Sequence, residues 1–145
     1  MWSLIVSMSV RNKTMGYLLI DARARDAASV LWWKEGKIDA WLENEQVTSV
    51  LRVIQERRAM LKDALEGVVV VAGPGRFSAI RVGVLTANIL ARWYRVPLFG
   101  VSYEEVATEE GLDRVFEEII SHRRVGASYV APLYDREPNI TTPRV

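Results

Sequence analysis

The chain of 145 residues contains no cysteine, which excludes disulfides, thiol nucleophiles and thiolate-held metals. It has one histidine, His122, beside Arg123 and Arg124. A zinc site built on that single ring would need several carboxylates to converge on it, whereas a cation at a helix end simply suits the helix dipole. The apolar start, residues 1–8, is too short to span a bilayer and lacks the basic residues that precede a secretory core. The cytoplasm is therefore the expected compartment, with no membrane partner. Charge of one sign is also scarce: the formal net charge is +1. That balance lacks the broad positive field of a nucleic-acid binder, so any tRNA contact is expected to be indirect, through a partner. The Arg57-Arg58 and Arg92-Arg95 pairs read as solvated helix faces.

What is present suits one globular domain, since half of the residues are hydrophobic and the length can bury a core. Residues 17–21, 27–33 and 37–42 read as short strands joined by polar turns, an antiparallel meander. Trp32 and Trp33 alternate in the second of them, so one is expected at the surface or a contact. Residues 44–65 show helical periodicity, with Val47, Val50, Leu51, Ile54, Leu61 and Leu65 on one face and Gly67 as the stop. The valine run 68–72 has no polar alternation and reads as a strand covered on both faces. A helix over 78–94 and a strand over 97–101 follow, which together imply a parallel crossover. Two helices broken at Gly111 come next. Because Met15 directly precedes the first strand, residues 1–14 read as an N-terminal extension, residues 15–130 as the folded lobe and residues 131–145 as an extended C-terminal tail. The tail is expected to lie along a partner or its own lobe.

The run from Gly73 to Gly83, Gly-Pro-Gly-Arg-Phe-Ser-Ala-Ile-Arg-Val-Gly, joins strand to helix. Pro74 removes an N–H donor and no Gly-Lys-Ser or Gly-Lys-Thr follows, so a tight packing turn is preferred to a phosphate cradle. In the helix behind it, Ala79, Val82, Gly83, Thr86, Ile89, Leu90 and Trp93 are expected to cover the sheet. The other side carries Ile80, Val84, Ala87, Asn88 and Ala91, small or apolar where a solvated helix would show charge. That side is expected either to meet another subunit or to be covered by the C-terminal helices.

These residues resemble the TsaB family, also called YeaZ, of the tRNA threonylcarbamoyladenosine pathway. Gly73, Pro74, Gly75, Phe77, Arg81 and Gly83 match that family's glycine signature, while Arg76 and Ala79 depart from it. Leu19-Ile20-Asp21 and residues 97–102 resemble its flanking strands, and residues 132–138 resemble the end of its longer members, without the second lobe between. The resemblance implies an α/β fold: one actin-like (ASKHA, ribonuclease H-like) lobe, a mixed sheet of an antiparallel meander plus parallel strands with flanking helices. It also implies a non-catalytic accessory subunit bound to TsaD as a heterodimer, with TsaE a further candidate partner and a homodimer through the same helices a competitor. Val47, Val50, Leu51 and Ile54 are expected to join Ile80, Val84, Ala87, Asn88 and Ala91 in that interface. Val84→Glu or Ala87→Arg is expected to break the contact while leaving the monomer folded. No catalytic residue, metal ligand or cofactor is expected. The alternative is a nucleotide-hydrolysing or peptidase-like enzyme of the same fold. Asp21 sits where actin-like ATPases place a magnesium-associated aspartate, but Ala22 and Arg23 replace the family's two hydroxyl residues. A turn-capping role is the preferred reading.

Overall fold

A computed structural model describes residues 15–134. The extension at 1–14 and the end of the tail, 135–145, lie outside the described residues. Strands β1 (Gly16–Ala22), β2 (Ala28–Lys34) and β3 (Lys37–Glu45) form the expected antiparallel meander. Strand β4 (Leu65–Gly73) pairs parallel to β1, and β5 (Leu98–Ser102) pairs parallel to β4. The sheet is thus mixed, in the order β3-β2-β1-β4-β5.

Helices cover both faces. One core joins α1 (Ser49–Glu56), α2 (Arg58–Ala64) and α3 (Phe77–Tyr94) to Leu18, Ile20, Val30, Val68 and Val70 of the sheet. The other joins α5 (Glu109–Ile120), which follows the short α4 (Tyr103–Val106), to Leu19, Val69, Val71, Phe99 and Val101. Period-two alternation sends successive valines of β4 into different cores, and Val68 to Val71 are each 0% exposed. The same alternation buries both tryptophans within the lobe, where at least one was expected at the surface or a contact. Trp32 stacks on Trp41 at 5.3 Å in the first core, and Trp33 stacks on Phe116 at 4.6 Å in the second. The guanidinium of Arg57 lies 4.6 Å from the Trp41 ring.

Boundaries differ from the periodicity in two places. The stretch expected as one helix over 44–65 begins as the end of β3 and breaks at Arg57, where φ is −102° and ψ is 9°. It ends at Ala64, because Leu65 already pairs with Gly16 in the sheet. The C-terminal helices break at Ala107 and Thr108, before Gly111: the Thr108 hydroxyl accepts the Gly111 N–H at 3.0 Å and caps α5. No helix among the described residues is long and apolar enough to cross a membrane.

Candidate functional site

Two neighbouring features were singled out by sequence, the glycine turn and the helix behind it. The turn closes β4. Gly73 has φ +141°, a conformation L side chains rarely adopt, and a Cβ there would collide with the Leu133 carbonyl. The Gly73-Pro74 bond is cis. Gly75 pairs with Tyr134 in an isolated parallel bridge, and the Arg76 N–H donates to the Arg23 carbonyl at 2.8 Å. Phe77 lays its ring 4.7 Å from Tyr134, and the Arg81 guanidinium lies 5.2 Å from the Phe77 ring. The turn therefore joins three segments: the β1–β2 loop, the start of α3 and a stretch of chain returning from the C-terminal side.

Beside it, Arg23 Nε donates to Asp21 Oδ1 at 2.8 Å, and the same guanidinium lies 3.4 Å from the centre of the Tyr103 ring. Burial raises the Asp21 carboxyl above its ordinary value, and the hydrogen bond and charge of Arg23 pull against that rise. Asp21, near the end of β1, is thus held by Arg23 in the turn that follows. His122 is exposed just beyond α5, with φ +59°. Among the described residues no group of three or more histidines and carboxylates could hold a metal ion.

The long helix meets the sheet with part of the face that periodicity suggested, Ala79, Gly83 and Thr86 being buried and Val82 and Leu90 half-buried against the core, and part of the opposite one. Ile80 and Ala87 are 0% exposed, and Val84 and Ala91 are also buried in the chain's own core, together with Val50 and Ile54 of α1 and Val47 just before it. These residues, expected at a partner interface, are packing residues of the lobe. Val84→Glu or Ala87→Arg would therefore disrupt the lobe itself, contrary to the expectation stated above. The reason is size. A Cβ on Gly83 would lie 2.8 Å from the Ala22 Cβ, so α3 sits very close to β1, and only a face of small residues allows that approach. Three large residues are rotated outward: Leu85 is 59% exposed, Ile89 56% and Trp93 78%, although Ile89 and Trp93 were expected against the sheet. Leu51, on α1, is exposed as well.

Asn88 has a role that periodicity could not indicate. Its Nδ2 donates to the Val84 and Val130 carbonyls at 2.8 and 2.9 Å, and its Oδ1 accepts the Val130 N–H at 3.0 Å. The side chain thereby clamps the returning segment. Val130 is buried there against Gly100. The Ala127 and Leu133 N–H groups donate to the Leu98 and Ala72 carbonyls, both at 2.7 Å. Residues 131–134, expected to begin an extended tail, lie extended along the lobe. Between this segment and α3 runs a groove of about 370 Å³ lined by Val84, Leu85, Pro132, Tyr129 and Tyr134, with Arg81 at its edge.

Comparison with known proteins places these features in context. A family model described as TsaD, tRNA N6-adenosine threonylcarbamoyltransferase, matches residues 43–115, half of the chain. The tRNA threonylcarbamoyladenosine biosynthesis protein TsaB of Escherichia coli K12 is 30% identical over 136 residues, covering 86% of this chain and 57% of that protein. A tRNA N6-adenosine threonylcarbamoyltransferase of Listeria monocytogenes is 37% identical over 59 residues, 41% of this chain and 17% of that protein. Among solved structures, YeaZ from Pseudomonas aeruginosa superposes with a TM-score of 0.52 at 21% identity over 61% of this chain and 44% of that one. A second structure, titled as an uncharacterized protein with similarity to peptidase YeaZ from Pseudomonas aeruginosa, gives 0.50 at 23% identity, covering 61% of this chain and 43% of that one. The structural likeness shows a shared fold. The chain spans about half the length of the TsaB and YeaZ proteins it matches.

Proposed function

The chain belongs to the TsaB (YeaZ) family, and from that premise we propose that it serves tRNA threonylcarbamoyladenosine biosynthesis as a non-catalytic accessory subunit, binding TsaD through the outer face of α3. The observation that carries this reading is the apolar stripe of Leu85, Ile89 and Trp93, each more than half exposed along one helix. Contiguous large apolar groups at the surface of a single chain mark contact sites, and tryptophan is a frequent anchor of such contacts. Leu51 on α1 extends the surface. Val47, Val50, Ile54, Ile80, Val84, Ala87 and Ala91 support it from beneath, and Asn88 fixes the segment alongside. The lobe at 15–130 is the binding unit. TsaE and tRNA reach this chain only within the complex, and a homodimer through α3 would compete with TsaD.

The accessory role is supported by the turn as well. Gly73 and Gly75 are occupied in packing Leu133 and Tyr134, and Asp21 is engaged by Arg23. The test is co-expression with TsaD of the same source followed by size-exclusion chromatography. Trp93→Glu and Leu85→Glu each place a charge where an apolar anchor would be buried, a cost of about 2 kcal/mol or more and roughly 30-fold in affinity. Both are surface changes, so the thermal melt should not move. Full co-elution of both variants with TsaD would refute the interface. Asp21→Asn is expected to retain activity in the reconstituted pathway, and loss of turnover in a variant that still binds TsaD would refute the non-catalytic role.

A further inference from the structure

We propose that the cavity between α5 and the β2–β3 turn binds an arginine side chain presented by a peptide segment, with the Trp33 indole N–H taking a carbonyl oxygen of the same segment. The cavity lies beside the second core, on the opposite face of the sheet from α3, so the proposal does not rest on α3 as a contact helix.

The cavity has a volume of about 400 Å³ and is lined by Trp33, Gly36, Asp113, Glu117, Ile120 and Ser121. That is the size of a small-ligand site. Positions 113, 117, 120 and 121 follow the spacing that keeps residues on one side of a helix, so α5 supplies one wall. The hairpin supplies the other. There Gly36 has φ +78°, and a Cβ on it would meet nothing within 4 Å, so the space before the turn is open. Trp33 completes the lining, more than nine-tenths buried and stacked on Phe116 at 4.6 Å. Among the described residues, its Nε1 is the one buried side-chain nitrogen or oxygen without a hydrogen-bond partner. A buried donor without an acceptor is costly, and buried indoles ordinarily find one. An oxygen brought into the cavity that Trp33 lines supplies it.

The remaining groups fit a cation on an apolar stem. Ile120 is 50% exposed, and Ile38, which pairs with Trp33 across the hairpin and so shares its sheet face, is 41% exposed. Asp113 and Glu117 bring two carboxylates to the cavity, about one helical turn apart. The C-terminal end of α5, with no basic residue in its last turn, adds the negative end of the helix dipole. A guanidinium already uses the rim of this surface: Arg123 Nη2 lies 3.6 Å from Glu117 Oε1, and its Nε donates to Ser121 Oγ at 2.8 Å. Both members of that ion pair are exposed, so water screens it. Asp113 has no cation within 4 Å among the described residues and is the carboxylate left to the incoming group. Arginine suits the site better than lysine, because its planar head lies flat on aromatic and aliphatic surface while giving a carboxylate two parallel donors. The indole then selects a peptide over a free amine. A guanidinium offers no acceptor to the Trp33 N–H, whereas the backbone carbonyl beside an arginine does.

The experiment follows the isotopically labelled full chain by nuclear magnetic resonance during titration with the blocked tripeptide acetyl-Ala-Arg-Ala-amide, and with the same peptide carrying lysine or the neutral isostere citrulline in place of arginine. The Trp33 indole signal is identified by its loss in Trp33→Phe. Saturable shifts of that signal and of the Gly36 amide are expected with the arginine peptide, at a Kd of about 1 mM, with weaker binding of the lysine peptide and none of the citrulline peptide. Asp113→Asn should raise the Kd about tenfold, whereas Glu43→Gln, which removes an exposed carboxylate from β3, should leave it unchanged. Both are surface changes whose thermal melts should match the wild type. No saturable shift at Trp33 and Gly36 would overturn the site. Equal shifts with the citrulline peptide, or equal weakening by Asp113→Asn and Glu43→Gln, would overturn recognition of a cation. Shifts at Gly36 and along α5 with the Trp33 indole signal unmoved would overturn the part assigned to its N–H. Co-elution with TsaD reads the α3 contact separately, so failure of one reading is distinguishable from failure of the other.

Discussion

Replacing Asn88 with alanine should release the returning segment without unfolding the lobe. The Asn88 amide makes both hydrogen bonds available to the Val130 backbone, donating to its carbonyl at 2.9 Å and accepting its N–H at 3.0 Å. At about 1 kcal/mol net for each bond, the variant loses about 2 kcal/mol of docking free energy, a factor of roughly 30 in the opening equilibrium. The loss should stay local. Asn88 bonds no strand of the sheet and touches the first core only through Val130 at its edge, whereas residues 127–134 are otherwise held by the backbone bonds of Ala127 and Leu133, the Gly75–Tyr134 bridge and the packing of Val130 and Tyr134. Amide hydrogen exchange is the assay, because it reads local opening separately from global stability. Protection at Val130 and Leu133 is expected to fall by about 30-fold, while Val69 and Val70 in β4 exchange as before. Asn88→Asp is the companion variant. It keeps the acceptor for the Val130 N–H but faces the Val84 and Val130 carbonyls with oxygen, so it should open the segment at least as much. Unchanged protection at Val130 in Asn88→Ala would refute the clamp.

Further consequences concern packing and acid. Gly83→Ala would ordinarily gain about 1 kcal/mol of helix propensity, but the new methyl would lie 2.8 Å from the Ala22 Cβ, and overpacking of that kind costs about 1–3 kcal/mol. Net destabilisation in urea unfolding is expected, and a more stable variant would refute the close approach of α3 to β1. In α4, burial would raise the Glu105 carboxyl, but hydrogen bonds from Arg124 and from the Ser102 backbone outweigh it and hold the group below its ordinary value. Its contribution to stability is therefore complete above pH 4.5 and lost as pH falls through the lower folded value. Glu105→Gln should flatten the acid limb of the stability curve, and an unchanged limb would contradict the assignment. Asp21 has the opposite sign. Its raised carboxyl contributes below its ordinary value of 3.8 and loses that contribution as pH rises through the higher folded value, so Asp21→Asn should improve stability relative to the wild type at neutral pH.

Where the residue types alone dictate the outcome, the sequence was sufficient. Four consecutive valines admit only a strand covered on both faces, the polar turns after β1 and β2 admit only a meander, and Gly73-Pro74-Gly75 admits a packing turn more readily than a phosphate cradle. Those signals are local, since each follows from backbone preference or from burial of a short run. The orientation of α3 was decided elsewhere. Helical periodicity ranks residues by size and polarity, and by that ranking Ile89 and Trp93 belong against the sheet. The spacing between α3 and β1 overrides the ranking at those two positions, because Gly83, itself expected against the sheet, packs against Ala22 and brings the neighbouring small residues Val84 and Ala87 into the core. The same applies to the surface built from α3 and residues 127–134. Asn88 and Val130 are forty-two positions apart, and only closure of the chain onto β5 and the glycine turn brings an amide side chain opposite a backbone that needs both its hydrogen bonds. Strand and turn identity is thus written in short stretches of residues, whereas the choice of exposed face is set by distances between segments far apart in the chain.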